Sequence, residues 1–189
     1  MSQIIFIDID GPLLPRRAWC LPENIQLLNE SRKSGNHPFG HKDLHNIVKF
    51  DPIAVSFFNV WTENNDVVGV ISSNWFHYAS REQIELTFKN NNLKIQLHQN
   101  WHTPRAGDGG RTEEIKRWLD VHYVDNFIIV DDDPDLISPS ASILIPDIES
   151  HLLYIQYEIG LTLEHHARAC NLLNVDFSHQ GLPKLTYQI

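Results

Sequence analysis

Three short stretches hold acids or hydroxyls at spacings that support chemistry. Asp8 and Asp10 stand one residue apart after the apolar run Ile4 to Ile7. Ser72 and Ser73 close the run VVGVI, and Asp131, Asp132 and Asp133 close NFIIV. Side chains alternate along an extended chain, so Asp8 and Asp10 share a side wherever that geometry continues. Two carboxylates held close repel each other, and one takes up a proton unless something neutralises it. A second acid cluster at a neighbouring strand end sharpens the repulsion. A hard divalent cation relieves it, and Mg²⁺ suits one or two carboxylates completed by water and a phosphate. The Ser72 and Ser73 hydroxyls then supply donors for such an anion.

These residues need elements to position them. Residues 3–9, 67–74, 94–98, 126–135 and 142–146 (SILIP) read as strand segments, most of them built on apolar, β-branched runs. Helical patterns fall between them: 22–34, with Pro22 in its first turn and Gly35 beyond its end; 51–64, with Ile53, Phe57, Val60 and Trp61 at helical spacing; 75–90; 111–122, with Ile115, Trp118, Leu119 and His122 on one face; and 162–174. Continuous apolar strands alternating with helices predict a mainly parallel sheet covered on both faces. In such sheets ligands bind beyond the carboxyl ends of the strands, where all three polar clusters fall. No boundary divides the chain, so 1–189 is read as one domain, with 14–50 as a small flap above that edge.

The bulk composition narrows the setting. Of 189 residues, 42% are hydrophobic and 21% charged, which is a globular balance. No apolar run approaches the roughly 20 residues that span a bilayer, so no membrane partner is expected. Two cysteines make no disulfide framework, and Asp8 interrupts any leader-like apolar start; the cytoplasm is the expected location. A net charge of −9 opposes non-specific binding to polyanions.

Together, "FIDIDGPL", "VVGVISS" and "IIVDDDPD" resemble the first, second and fourth motifs of the haloacid dehalogenase (HAD) superfamily. The resemblance covers most of the chain. It implies an α/β, three-layer Rossmann-like fold with no large cap domain, and a Mg²⁺-dependent phosphatase acting on phosphate monoesters. Asp8 would be the nucleophile that forms an aspartyl-phosphate, and Asp10 the general acid and then base. The metal would take Asp8, the Asp10 carbonyl and Asp132, with Asp131 behind them. Ser72 and Ser73 would bind phosphate. The third motif calls for a Lys near a helix start. By position the cation is Arg111, after Gly109-Gly110; by residue type it is Lys116. The order "RTEEIxxWL", "VDDD", "GLTL" is also similar to the HAD domains of Swiss Army Knife RNA repair proteins. That similarity adds a nucleic-acid end to the expected substrates, beside a phosphorylated small molecule or nucleotide. Two alternatives stay open: a phosphotransferase or end-processing enzyme, and a non-catalytic metal-binding interaction protein, which the Arg at the third motif favours.

Other residues read as structural. His41 and His45 are four apart with His37 nearby, but Pro38 and Gly40 interrupt a helix through His37 and no zinc pattern accompanies them. His165 and His166 are expected on a helix surface, and His122 as a packing residue. Asp133 and Asp135 read as loop or cap residues. Trp61, Trp75, Trp101 and Trp118 read as core or pocket walls, with contact to substrate as a second reading for Trp75, directly after the second motif.

Overall fold

A computed structural model describes residues 3–35, 44–63 and 66–175. Its centre is a five-stranded, all-parallel sheet in the order β3-β2-β1-β4-β5. The strands are β1 (Gln3–Ile7), β2 (Val67–Ile71), β3 (Gln96–His102), β4 (Asn126–Asp131) and β5 (Leu152–Tyr154). The helices are α1 (Pro22–Ser34), α2 (Leu44–Ile47), α3 (Pro52–Trp61), α4 (Arg81–Asn90), α5 (Gly110–Leu119), α6 (Pro139–Leu144), α7 (Ile148–His151) and α8 (Leu163–Leu173).

Strand parity builds the layers. Ile5 and Ile7 of β1, with Ile128 and Val130 of β4, bury into one core with Leu27 of α1, Phe57 and Trp61 of α3, Phe88 of α4 and Leu173 of α8. Ile4 and Phe6, with Val70 and Ile129, bury into the other core with Ile115 and Trp118 of α5, Ala141 of α6 and Ile148 of α7. Phe6 meets Trp118 edge-on at 5.3 Å. A strand covered on both sides must be apolar at every position, which is why IIFI and FIIV carry no polar residue until they emerge. No large cap domain occurs among the described residues.

Several boundaries differ from the sequence reading. SILIP is not a strand: its first three residues end α6, which starts at Pro139. Ile143 is 81% exposed. Pro139 fixes a helical φ at the first turn, and Pro146 stops the chain from joining a ladder. The fifth strand is instead the three-residue LLY of β5. The segment 75–90 divides into a 3-10 turn, Asn74–His77, and α4, which Ser80 and Gln83 start with a reciprocal capping box. In α3, Ile53 faces out while Ala54, Phe57, Phe58 and Trp61 face in. Asp51 caps that helix by accepting from Ile53 N–H.

His166 is buried rather than on the surface: its Nδ1 accepts from Trp61 Nε1–H at 2.9 Å, and it stacks on Phe57 at 4.3 Å. His122 packs as expected, stacked on Trp118 at 3.9 Å. His45 is buried against Thr87 Oγ1 at 3.0 Å; His37 and His41 lie outside the described residues. Of the 14–50 stretch, Leu14, Leu27 and Val48 lie in the first core.

Candidate functional site

The register of the central strands puts three polar residues in one row. Ile7 pairs with Ile71 on one side and Val130 on the other. The next residues are Ser72, Asp8 and Asp131, joined by Ser72 N–H to Ile7 O at 2.8 Å and Asp8 N–H to Val130 O at 3.0 Å. Each continues the parity of Val70, Phe6 and Ile129, the face covered by α5. All three are nearly or fully buried. Helix α5 opens at the same end of the sheet, so Arg111 in its first turn meets the row. Its Nε lies 3.2 Å from Asp131 Oδ2, and its Nη2 3.9 Å from Asp8 Oδ1. Lys116 is a turn further on and pairs with Asp120 on the surface at 2.7 Å.

From Asp131, the last residue of β4, every second acid accepts a backbone N–H. Asp131 Oδ1 accepts from Asp133 N–H at 2.9 Å, and Asp133 Oδ1 from Asp135 N–H at 2.9 Å. Asp135 Oδ2 accepts from Thr112 N–H at 2.8 Å, so it caps α5 from a distant segment. Gly109, at the N-cap position, has no side chain to do this. The acid between, Asp132, turns toward Asp8. Asp8, Asp131 and Asp132 each offer a carboxylate oxygen within 4.8 Å of the others.

The Asp10 carboxylate lies outside that trio, and its Oδ2 accepts from Trp75 Nε1–H at 3.1 Å. Asp8 Oδ1 accepts from Ile9 N–H at 2.8 Å. The Ser73 hydroxyl also bonds Asp8. Gly11 turns the chain at φ +83, and a Cβ there would stand 2.6 Å from Asp132 Cγ. Gly11→Ala should therefore cost about 1–2 kcal/mol of backbone strain. It should also push Asp132 aside, weakening cation binding roughly tenfold. Thermal melts at graded metal concentrations will measure both.

The electrostatics explain what the cluster lacks. Burial, then the Asp131 charge, pushes the Asp8 carboxyl well above the usual range, against the pull of Arg111 and Ser73. Burial likewise raises Asp131 to about 7, although Arg111 opposes it. Burial raises Asp132 as well. One guanidinium is therefore too little positive charge for three ionised acids. Burial works against the Arg111 charge too, but Asp131, Asp8 and Glu114 outweigh it. The donor set is all oxygen and compact, which fits a hard divalent cation.

Buried donors complete the site. The Ser72 and Thr103 hydroxyls have no hydrogen-bond partner among the described residues, and Arg111 Nε and Nη1 meet Asp131 and Glu114 only as ion pairs, at 3.2 and 3.7 Å, without hydrogen-bond geometry. Such groups are costly unless a ligand or water satisfies them.

Asp135 caps α5, in keeping with its reading as a loop or cap residue. Sequence reasoning missed two contributors. The Trp75 indole holds Asp10, rather than only facing a substrate. Tyr157, in the turn after β5, lies close enough to Asp10 that burial first, and that charge second, raise its hydroxyl pKa. Neither has a local signal, because each acts across a long sequence separation.

No helix among the described residues is long and apolar enough to cross a membrane. No curated protein and no solved structure matches the chain. Residues 4–166 match the family described as the HAD domain in Swiss Army Knife RNA repair proteins. The three acid and hydroxyl segments and Arg111 all lie within the matched span, and the chain belongs to this family of HAD-type hydrolases.

Proposed function

We propose that the chain is a Mg²⁺-dependent phosphohydrolase that cleaves phosphate monoesters through an aspartyl-phosphate on Asp8. One observation carries this reading: Asp8 stands with two further carboxylates beside the Arg111 guanidinium and the buried Ser72 and Thr103 hydroxyls, which have no hydrogen-bond partner among the described residues. The carboxylates fit the cation, and the donors fit a tetrahedral anion. The same donors favour a catalytic site over a metal-binding interaction protein, which has no use for them.

The residues divide the work. Ile9 N–H fixes one Asp8 oxygen, leaving the other to attack phosphorus. A phosphorus–oxygen bond forms to Asp8 as the bond to the leaving oxygen breaks, and Asp10 donates a proton to that oxygen. Trp75 keeps the Asp10 carboxyl in place. Asp10 then takes a proton from water as the water displaces Asp8 from phosphorus. Ser72, Ser73 and Arg111 hold the phosphoryl oxygens, Arg111 with a fork in place of the family's lysine. Asp8, Asp132 and the Asp10 carbonyl would hold Mg²⁺, with Asp131 set back against Arg111. The ion supplies charge neutralisation for an anion approaching an anionic nucleophile.

The family name makes a nucleic-acid end a candidate substrate beside nucleotides and sugar phosphates. The purified protein should release phosphate from a panel of monoesters with Mg²⁺ and stop on chelation. Rapid acid quench should leave a hydroxylamine-sensitive phosphate on the peptide holding Asp8. Turnover without that adduct would move the nucleophile elsewhere, and an inert protein would refute the reading.

A further inference from the structure

A group of aromatic rings beside the acid site has no part in the chemistry above. Phe76 and His102 stack at 4.7 Å with planes 14° apart. Trp101 meets His102 edge-on at 4.7 Å. All three are half-buried. Phe76 lies in the 3-10 turn after β2 and His102 ends β3, so this half-open stack joins two elements at the carboxyl rim of the sheet.

Their place is set by the elements around the site. Phe76 follows Trp75, whose indole holds Asp10. His102 pairs with Ile71, the neighbour of Ser72. Two strand spacings separate His102 from β1, about 10 Å, which is within reach of one nucleotide. Trp101 and His102 also wall a cavity of about 350 Å³ that includes Asn100, whose amide nitrogen bonds His122 at 2.6 Å, and Gln99, whose amide can bond a base edge. Arg105 is exposed, and its Nε lies 3.0 Å from His77 Nδ1. His77 in turn feels the charge of Arg111. Arg105 therefore holds a guanidinium beside the rings, although the chain as a whole carries −9.

We propose that Phe76, Trp101 and His102 form a stacking shelf for an unpaired base next to the phosphate handled at Asp8, with Arg105 on the backbone phosphate that follows. The substrate class is then the phosphorylated end of a single-stranded nucleic acid. This rests on the phosphohydrolase reading of Asp8 and narrows it. Flat π faces take any base, and a guanidinium takes a phosphate, so the site favours a nucleotide chain over a sugar phosphate.

The test separates the two claims. Asp8→Asn protein, which holds substrate without turnover, is titrated with phosphorylated RNA and DNA pentamers and read by tryptophan fluorescence. Phe76→Leu and His102→Ala, each added to Asp8→Asn and checked by thermal melt, should weaken binding about tenfold. The salt dependence should be shallow, with a slope of about −0.7 to −1.4, as for one or two phosphate contacts on a single strand. In otherwise wild-type protein, the same changes should lower kcat/KM for the pentamer about tenfold relative to ribose 5-phosphate. RNA preferred over DNA would add a 2′-hydroxyl contact to the shelf. Unchanged pentamer affinity in both variants, or equal losses on both substrates, overturns the shelf. Shelf-dependent binding with no turnover of any substrate would support the shelf and overturn the phosphohydrolase reading.

Discussion

Asp8→Asn protein will melt above its parent in metal-free buffer at pH 8, yet release phosphate at least about 10³-fold more slowly. The two effects have one origin. Three acids converge where burial raises the carboxyls of Asp8, Asp131 and Asp132. An acid with a raised folded-state pKa binds its proton more tightly in the folded chain than in the unfolded one. Its ionisation therefore opposes folding. The contribution is intact below the unfolded value of 3.8 and is lost as pH climbs to the folded value, which for Asp131 is about 7. At pH 8, above the folded value of Asp131, the parent bears this cost, whereas asparagine never ionises. A relief of about 2 kcal/mol would shift the midpoint by roughly 4–8 °C in a chain of this size. The gap should close toward pH 4. Mg²⁺ should raise the parent more than the variant and narrow the gap at pH 8. A difference independent of both pH and Mg²⁺ would show that the acids do not repel as described.

Arg111→Met will produce the opposite shift, a fall of roughly 10 °C in metal-free buffer. Arg111 is 8% exposed and lies within ion-pair distance of Asp8, Glu114, Asp131 and Asp133. Removing the cation leaves buried anions uncompensated, which costs about 3–5 kcal/mol. Arg111→Lys should recover part of the loss, because the charge returns without the fork. Adding Asp131→Asn to Arg111→Met should recover part too, since it removes the anion nearest the lost charge. Lys116→Met provides the contrast. Its pair with Asp120 is on the surface, and its loss should cost no more than about 1 kcal/mol. Melting curves of the four proteins will decide which cation belongs to the acid cluster. A larger fall for Lys116→Met than for Arg111→Met would reverse the assignment.

How much of this was legible in the sequence depended on the distance over which each signal acts. The Ser72–Asp8–Asp131 row was legible because a strand buried on both faces announces its end by its first polar residue. Arg111 was legible by position, since a Gly-Gly pair marks where α5 begins. The choice among three adjacent aspartates was not. It depends on hydrogen bonds that skip every second residue and end on Thr112 of another element. SILIP misled because its β-branched residues suit a strand, while Pro139 and Pro146 set the local backbone otherwise. His166 misled because its burial comes from Trp61 and Phe57, over 100 residues earlier.

The irregular pairing of β3 has a consequence at the rim of the sheet. Between Gly69 and Ile71 the register slips, and β3 advances from Leu97 to His102 opposite them. An unbroken outer ladder offers a template onto which a foreign strand can add. Here the slip spoils that template along one margin, and β5, only three residues long, leaves little of one along the other. The departure from regularity that brings Trp101 and His102 up beside the acid end also guards the sheet against growing by accretion.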